Sequence, residues 1–468
     1  MIKSAPPPFL PHCVVVLLFV LLCAPSVQAD SDTADQRRLD ILTFGTETEV
    51  AALIQTLRTE GDFSLEKELI EIAENTRNRT ILAGVLNFFG EAARSGLEER
   101  AIRAIQERDF EANETILAAV DYLGRVNAAN AVESLQDLIR SRESFFLNNA
   151  IRALGRAARG QEESGVTDTA AEFLLDFYRY RNPSHENQRE AIVAIGETGS
   201  STGLQFLIDI ISSEDENVGL RIAALEAVAA IGNPLAASAV VDAVASTDPA
   251  VRSTAVASLG PFSGAAADQA VLDGFRDSYF RTRQSASRAA GQRQQESAVP
   301  FLRFRAENDD VPAVRDEAIR ALGAVNNSEA MAALDSLFSA RGNSDRVRLM
   351  AAEMLLQNNA NAYGTKVVVE MDEAQTRRQT ALYNGFIRIL STAPPSASFE
   401  PAARRLIRSG GVIERALALD LIATNEFRHL ADEVRELLDE RRSNASLARR
   451  ARTTLERLGL DEKDDGNE

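Results

Sequence analysis

The chain has 468 residues, and this length predicts several domains or a repeat array rather than one ordinary core. Its formal net charge of −18 disfavours nucleic acid and anionic lipid surfaces as partners, because an acidic body repels both. Alanine, leucine and arginine dominate and tryptophan is absent, which favours helices over strands.

The first predicted element is a secretory signal peptide over residues 1–29. Lys3 gives a basic start, an unbroken apolar run extends over 14–22, and Ala29 ends a small-residue cleavage motif. The run is about half as long as the roughly 20 residues that span a membrane. We therefore expect cleavage after Ala29 and an exported protein, periplasmic or extracellular.

Both cysteines lie in this first segment. Cys23 admits an alternative, a lipidated N-terminus that would tether the chain to a membrane. Leu22 stands before it, however, where lipoprotein signals generally have a small residue. The preferred interpretation makes Cys13 and Cys23 ordinary apolar residues of the signal peptide. The cleaved chain would then hold no cysteine, which excludes disulfides and thiolate metal sites.

A repeat of thirty-odd residues runs along the rest of the chain. The template is the segment 251–260, in which the anchor Arg252 is followed by alanine at position +3, leucine at +7 and glycine at +8. Alanine occupies +3 in eight of the nine units. This self-similarity predicts a repeat architecture. The nine anchors are Leu82, Ile116, Leu147, Gln188, Arg221, Arg252, Arg283, Arg315 and Arg348.

The spacing inside a unit predicts a helical hairpin. Positions −1, +3 and +7 fall on one helix face, and the small residue at +3 allows another helix to approach closely. Asp248 and Pro249 are typical of an N-cap and a first helical turn, and the glycine at +8 is predicted to end the helix in a left-handed turn. A second apolar stretch, such as 334–338, supplies the other helix. Neither helix buries its stripe alone, so units must stack.

Five anchors are arginines near a helix N-terminus, where a cation opposes the helix dipole by up to about 1 kcal/mol. We expect a compensating ladder, in which each guanidinium bonds loop carbonyls or an acid of the adjacent repeat. A stripe that reads phosphate or carboxylate ligands is the alternative. The five arginines are Arg221, Arg252, Arg283, Arg315 and Arg348.

Residues 140–357 resemble HEAT-like repeats of the phycobilisome-lyase type, whose signature D-P-x-V-R-x-x-A-x-x-x-L-G is matched at every position by 248–260. The resemblance implies a right-handed α-solenoid whose Val-Arg helices line the concave side. With divergent repeats at 30–139 and 358–460, we predict an all-α, right-handed superhelix of about twelve HEAT-like helical hairpins. A disordered acidic tail at 461–468 would follow.

No residue is predicted to be catalytic, cofactor-binding or metal-binding. His185 and His429 are the only histidines after the signal peptide and lie far apart in sequence. The single pair His185-Glu186 does not supply the several His-Glu pairs with which the HEAT-type deoxyhypusine hydroxylases bind iron. The G-x-S-x-G string at 199–203 follows a predicted helix, not a strand, and is interpreted as a turn.

The leading hypothesis is a non-catalytic protein-binding scaffold or adaptor in the cell envelope or periplasm. It would bind a protein partner on the concave face, with no cofactor, nucleic acid or small-molecule substrate. One alternative is an enzyme or enzyme subunit of HEAT type, bilin lyase-like or hydroxylase-like, which a tightly bound metal or chromophore would favour. The other is a self-associating structural component of the envelope, which light scattering would distinguish from a monomer.

Overall fold

Several helices begin at a residue whose side chain caps the first turn, among them α-helices that start after Thr46, Asn78 and Asp248. At the helix that carries Arg252, the Oδ1 atom of Asp248 accepts hydrogen bonds from the backbone N–H groups of Ala250 at 2.8 Å and Val251 at 3.1 Å. Pro249 occupies the first turn, where its missing N–H costs nothing. The N-cap predicted from the Asp-Pro pair is confirmed.

The computed structural model describes residues 27–141, 143–161, 165–181, 183–438 and 445–460, with side chains from residue 35 onward. These residues form 25 α-helices and no strand. The predicted fold class, an all-α right-handed solenoid of HEAT-like hairpins, is confirmed. The predicted signal peptide lies outside the described residues except for 27–29, and the tail at 461–468 lies wholly outside them.

The chain divides into two units after Leu138. The first unit contains three helical hairpins and the greater part of α7. Its helices are α1 (Val27–Phe44), α2 (Glu47–Glu60), α3 (Glu66–Asn75), α4 (Arg79–Glu91), α5 (Glu98–Gln106), α6 (Asn113–Arg125) and α7 (Val132–Ser141, which crosses the division).

The second unit continues the alternation of two helix types. Its helices are α8 (Ser144–Ala157), α9 (Val166–Tyr180), α10 (His185–Thr198), α11 (Leu204–Ser212), α12 (Val218–Ile231), α13 (Ala237–Ala243), α14 (Pro249–Ser258), α15 (Ala265–Gly274), α16 (Phe280–Gln292), α17 (Val299–Asn308), α18 (Pro312–Val325), α19 (Ser328–Ser339), α20 (Asp345–Thr376), α21 (Thr380–Thr392), α22 (Glu400–Ser409), α23 (Val412–Thr424), α24 (Ala431–Arg435) and α25 (Ala445–Arg457).

Each of the nine predicted anchors lies on an even-numbered helix from α4 to α20. We call these the anchor helices, and the odd-numbered helices between them the partner helices. Because α20 contains two helices that meet at Asn359, the alternation shifts after it, and α21 and α23 continue the anchor layer. The residue at +3 is completely buried in all nine repeats, as the spacing predicted. These nine are Val85, Ala119, Ala150, Ala191, Ala224, Ala255, Ala286, Ala318 and Ala351.

The burial pattern of α14 gives a direct test of this packing. Ala255 is buried and Ala257, two positions later, is exposed. Ala255→Phe is expected to lower the free energy of unfolding by about 1–3 kcal/mol, because the ring overpacks the helix contact. Ala257→Phe should change it by less than about 0.5 kcal/mol. Urea denaturation measures both, and equal losses would contradict the assigned face.

The glycine at +8 has a different role from the one predicted. In five anchor helices it lies inside the helix with ordinary helical geometry and faces residue +6 of the next anchor helix in the same unit. A Cβ added at Gly196 would lie 2.6 Å from the Cα of Ala227, and one at Gly291 would lie 3.0 Å from the Cα of Ala321. Glycine is therefore required for close approach of neighbouring anchor helices, and its prediction as a left-handed helix end was wrong.

The left-handed turn lies three residues later, at +11. Six of the nine repeats place a residue with positive φ there, and in the last repeat Asn359, with φ −156° and ψ 77°, interrupts α20. Only two of the six are glycines, so the sequence gives little sign of this turn. The six residues are Ala93, Asn127, Gly199, Gly232, Gln294 and Asn326.

Cation–π contacts join neighbouring partner helices of the second unit. The guanidinium of Arg140 lies 4.9 Å from the ring centre of Phe173, and that of Arg179 lies 5.5 Å from Phe206. Such contacts contribute about 0.5–1 kcal/mol at exposed sites. The partner layer therefore uses larger side chains than the glycine and alanine of the anchor layer.

The less regular ends of the array are helical too. Residues 38–57 span the end of α1 and most of α2, and residues 366–369 are helical within α20. Residues 393–396 connect α21 to the following 3-10 turn and α22. In the described part of the chain, no helix combines the length and hydropathy that crossing a bilayer requires.

Candidate functional surface

The recurring arginines form the predicted ladder in the second unit. Arg252 donates from Nη1 to the backbone oxygens of Ser246 and Thr247, both at 3.0 Å, in the loop before its own helix. It reaches forward to the next loop, where its Nε lies 2.7 Å and its Nη2 3.2 Å from the carboxylate of Asp277. One side chain thus connects two successive loops.

The next rung repeats this geometry. Arg283 donates to the backbone oxygens of Asp277 and Ser278, both at 3.1 Å, and to the carboxylate of Asp309 at 2.7 and 2.9 Å. Asp309 is completely buried, and Arg283 is almost so. Bidentate, charge-assisted bonds of this kind offset the cost of placing a cation near a helix N-terminus.

The remaining rungs follow the same rule where the sequence allows it. Arg315 bonds the backbone oxygen of Asp309 at 2.6 Å, but an arginine, Arg341, stands 26 residues ahead where an acid would complete the rung. Arg221 bonds the backbone oxygen of Ile211 at 3.2 Å. Arg348 bonds the backbone oxygen of Phe338 at 3.0 Å and Glu370 at 2.6 Å. All five arginines therefore bond within the protein. The ladder prediction is confirmed for Arg252, Arg283, Arg315 and Arg348, whereas Arg221 bonds a carbonyl in the last turn of α11.

The two acids of the ladder make stability depend on pH. Burial alone would raise the pKa of Asp277, but the hydrogen bonds from Arg252 and the backbone of Tyr279 outweigh it and lower that pKa. The pKa of Asp309 is lowered in the same way, with Arg283 and the backbone of Val311 as donors. A folded pKa below the unfolded value stabilises the protein above the unfolded pKa of about 3.9, and this contribution is lost as pH falls through the folded pKa.

Wild-type protein is therefore expected to lose stability between about pH 5 and pH 2 partly through these acids. The test compares it with a variant carrying Asp277→Asn and Asp309→Asn in urea denaturation over that range. The stability gap between them should be largest near pH 6 and should narrow as the medium becomes more acidic. A gap that stays constant with pH would contradict the prediction.

The two histidines lie apart in the structure, and the G-x-S-x-G string has a local structural role. His185 is the exposed first residue of α10, and His429 lies 3.4 Å from Glu400 in another part of the unit. Gly199 takes a left-handed conformation, and Ser200 donates to Asp168 at 2.5 Å, so the G-x-S-x-G string forms the predicted turn. Within the described ranges, no three His, Cys, Asp or Glu side chains are grouped to hold a metal.

Two neighbouring grooves on the anchor side were not predicted from the sequence. The α20/α21 groove, of about 480 Å³, has an apolar floor of Leu349, Met350 and Ile389. Its rim carries two arginines and one acid, which are Arg346, Arg388 and Glu353.

The α21/α23 groove, of about 560 Å³, lies on the other side of α21. Its lining includes Asn384, Ile387 and the first turn of α23, where Val412 and Ile413 are exposed. Ile413 exposes 77% of its surface, which is unusual for isoleucine in a folded chain. Asn384 and Arg388 lie one turn apart on α21, so the two grooves share the exposed stripe of that helix.

Exposed arginines extend this surface along the anchor helices. Arg288 of α16 and Arg320 of α18 both bond Glu317, at 3.1 and 2.9 Å. Arg346 of α20 bonds Asp316 at 2.5 to 3.1 Å, next to Glu317 on α18. These contacts connect α16 to α18 and α18 to the α20/α21 groove. We call Arg288, Arg320, Arg346 and Arg388 the arginine strip.

Comparison with known proteins places this chain among repeat proteins. The profile of the family described as "Spirochaete HEAT repeat protein" matches residues 42–454. No curated protein matches the chain.

Several solved structures are similar to it at low identity. The karyopherin Kap121p is 12% identical with a TM-score of 0.44, and the alignment covers 92% of this chain. This chain spans only 54% of that karyopherin. Yeast importin-β is 12% identical over 92% of this chain and 72% of its own, with a TM-score of 0.47. The CpcE–CpcF phycocyanin lyase of Nostoc is 20% identical over 49% and 88%, with a TM-score of 0.31.

Proposed function

Because the chain belongs to the family of spirochaete HEAT repeat proteins, we propose that it is a non-catalytic protein-binding scaffold or adaptor. The observation that carries this proposal is the pair of grooves beside α21, with Val412 and Ile413 exposed in the α21/α23 groove. Exposed apolar patches with a polar rim are typical of protein interaction sites. The anchor helices would supply the concave face on which the partner binds.

Site-specific photocrosslinking tests this function in intact cells. A photoreactive amino acid replaces Ile413 beside the α21/α23 groove, Met350 in the α20/α21 groove, or Phe304 on the partner helix α17. Phe304 is a matched control because it is also a large, exposed apolar residue of the second unit. The proposal expects the same protein partner to be captured from positions 413 and 350 and not from 304. Capture of no protein at 413 and 350 would refute it.

We propose further that the protein works in the cell envelope or periplasm. The support is the sequence pattern of residues 1–29, with its basic start, short apolar run and small residue at Ala29. Cell fractionation followed by N-terminal sequencing tests this. Mature protein beginning at Asp30 in the exported fraction would support it, a mature N-terminus at Cys23 would indicate the lipidated alternative, and uncleaved protein in the cytoplasm would refute both.

A further inference from the structure

We infer that the anchor-helix surface from α16 to α23 binds an acidic protein segment that carries apolar side chains. The inference rests on the proposed scaffold function and specifies its ligand. It runs against the net charge of −18, which alone suggests a basic partner. Its basis is the way in which this one surface places its charges.

The arginine strip turns its cations outward and keeps its acids beneath them. The side chains of Arg288, Arg320 and Arg346 are 52%, 49% and 67% exposed, whereas Glu317 and Asp316 are only 13% and 8% exposed. A ligand approaching from solvent therefore meets guanidinium groups first. The strip thus differs from the ladder, whose arginines are directed into loops.

The strip retains donors for a ligand. Arg288 contacts Glu317 through Nε and Arg320 contacts it through Nη1, so several N–H groups of each guanidinium are left over. Arg388 makes no ion pair with any residue that the structure describes. A guanidinium with free N–H groups matches a carboxylate in shape and charge and bonds it bidentately.

The grooves beside α21 explain why the ligand must also be apolar. Arg346 and Arg388 stand on the rim of the α20/α21 groove, above the floor formed by Leu349, Met350 and Ile389. A segment that crosses α21 would place carboxylates on these arginines and apolar side chains on the floor and against Ile413. A purely polar ligand would leave this apolar surface in water.

The other acidic residues at this surface do not prevent an acidic segment from binding to the arginine strip. Glu414, in the α21/α23 groove, accepts a hydrogen bond of 2.5 Å from the backbone N–H of Gly411 and so caps α23. Glu353 is the one carboxylate among the residues that line the α20/α21 groove, and two arginines, Arg346 and Arg388, line it as well. Phosphates also attract guanidinium groups, but a nucleic acid would meet repulsion from the remainder of the acidic chain.

The probe for this inference is a fluorescein-labelled peptide of repeated Glu-Glu-Leu units, measured by fluorescence anisotropy with the full-length protein. A Lys-Lys-Leu peptide and single-stranded DNA of random sequence are the comparison ligands. We expect the acidic peptide to bind, the comparison ligands not to bind, and binding to weaken as ionic strength rises. Equal binding of both peptides, preference for DNA, or no binding of the acidic peptide would each overturn the inference.

Charge reversal locates the site. The double variant Arg320→Glu/Arg388→Glu is expected to weaken the acidic peptide by about tenfold or more, since rim charges govern such association. Arg303→Glu on the partner helix α17 is the matched control, an exposed arginine that loses only its pair with Glu307, and should stay within about twofold. Circular dichroism melting checks that both fold.

Unchanged binding in the double variant would overturn the inference. Photocrosslinking keeps this outcome separate from the proposed function. If the same partner is still captured at positions 350 and 413 while charge reversal has no effect, the scaffold stands and the acidic ligand does not.

Discussion

Replacing Asp309 by alanine is expected to lower the free energy of unfolding by about 3 kcal/mol, because it removes the buried carboxylate that pairs with the nearly buried Arg283. Asp309 is completely buried and accepts two bonds from Arg283 and one from Arg305 at 3.3 Å. It also accepts the backbone N–H of Val311 at 3.0 Å. Urea denaturation at pH 7 measures the loss.

The neighbouring residue supplies the control. Asp310 also bonds Arg283, at 2.8 Å, but its side chain is 85% exposed. Asp310→Ala is therefore expected to cost no more than about 1 kcal/mol, since water screens exposed pairs and solvates what is left. Similar losses for the two variants would show that burial does not set the strength of this rung.

The second large effect is expected at the crossing of α10 and α12. Gly196→Val should lower the free energy of unfolding by about 3 kcal/mol, the upper end of the usual cost of overpacking. A Cβ at this position would lie 2.6 Å from the Cα and 2.7 Å from the Cβ of Ala227, and backbone atoms cannot move aside as a flexible side chain does. The two branches of valine add to the crowding.

Gly342→Ala is the comparison for this variant. No heavy atom lies within 4 Å of a Cβ built there, and its φ is not in the left-handed range. The free energy of unfolding of the Gly342→Ala variant should therefore rise by less than about 1 kcal/mol, because alanine makes the unfolded chain less flexible than glycine does. A strong loss at Gly342, or none at Gly196, would contradict close approach as the reason for the repeated glycine.

The anchors could be predicted because the repeat amplifies a weak signal. Nine units carry the same small and apolar spacing, and the helix face follows from that spacing without knowledge of neighbours. The ladder was also predictable, since an arginine near a helix N-terminus is unfavourable unless something compensates. Which acid completes each rung depended on loop geometry that one repeat does not reveal.

The glycine at +8 shows where such reasoning fails. A glycine near the end of an apolar helix is typical of a left-handed cap, and the true cap at +11 is held by alanine, asparagine or glutamine in four repeats. The cap hydrogen bonds are local: the backbone N–H of Gln295 bonds the oxygen of Ala290 at 2.9 Å whatever side chain Gln294 carries. Contact with the next helix, which explains Gly196, is visible only in three dimensions.

The grooves beside α21 could not be predicted for the opposite reason. Val412 and Ile413 begin an apolar helix, and the sequence pattern predicts such residues to be buried. In the structure they are exposed instead, at the edge of the α21/α23 groove. The arginine strip could not be predicted from the sequence either, because charged residues on a helix usually indicate only a solvated surface.

The arginine ladder constrains how such an array changes its length. Arg252 and Asp277 are 25 residues apart, and Arg283 and Asp309 are 26 residues apart. Each ion pair therefore joins the loop of one repeat to the loop of the next. Duplication of a complete repeat of this kind keeps the arginine and its carboxylate at the same separation. Insertion of a few residues within α15 or α17 would instead move the loop that carries the aspartate and leave the arginine without its ion-pair partner. We therefore expect duplication of a whole repeat to preserve this pairing, and insertions that change the length of a repeat to break it.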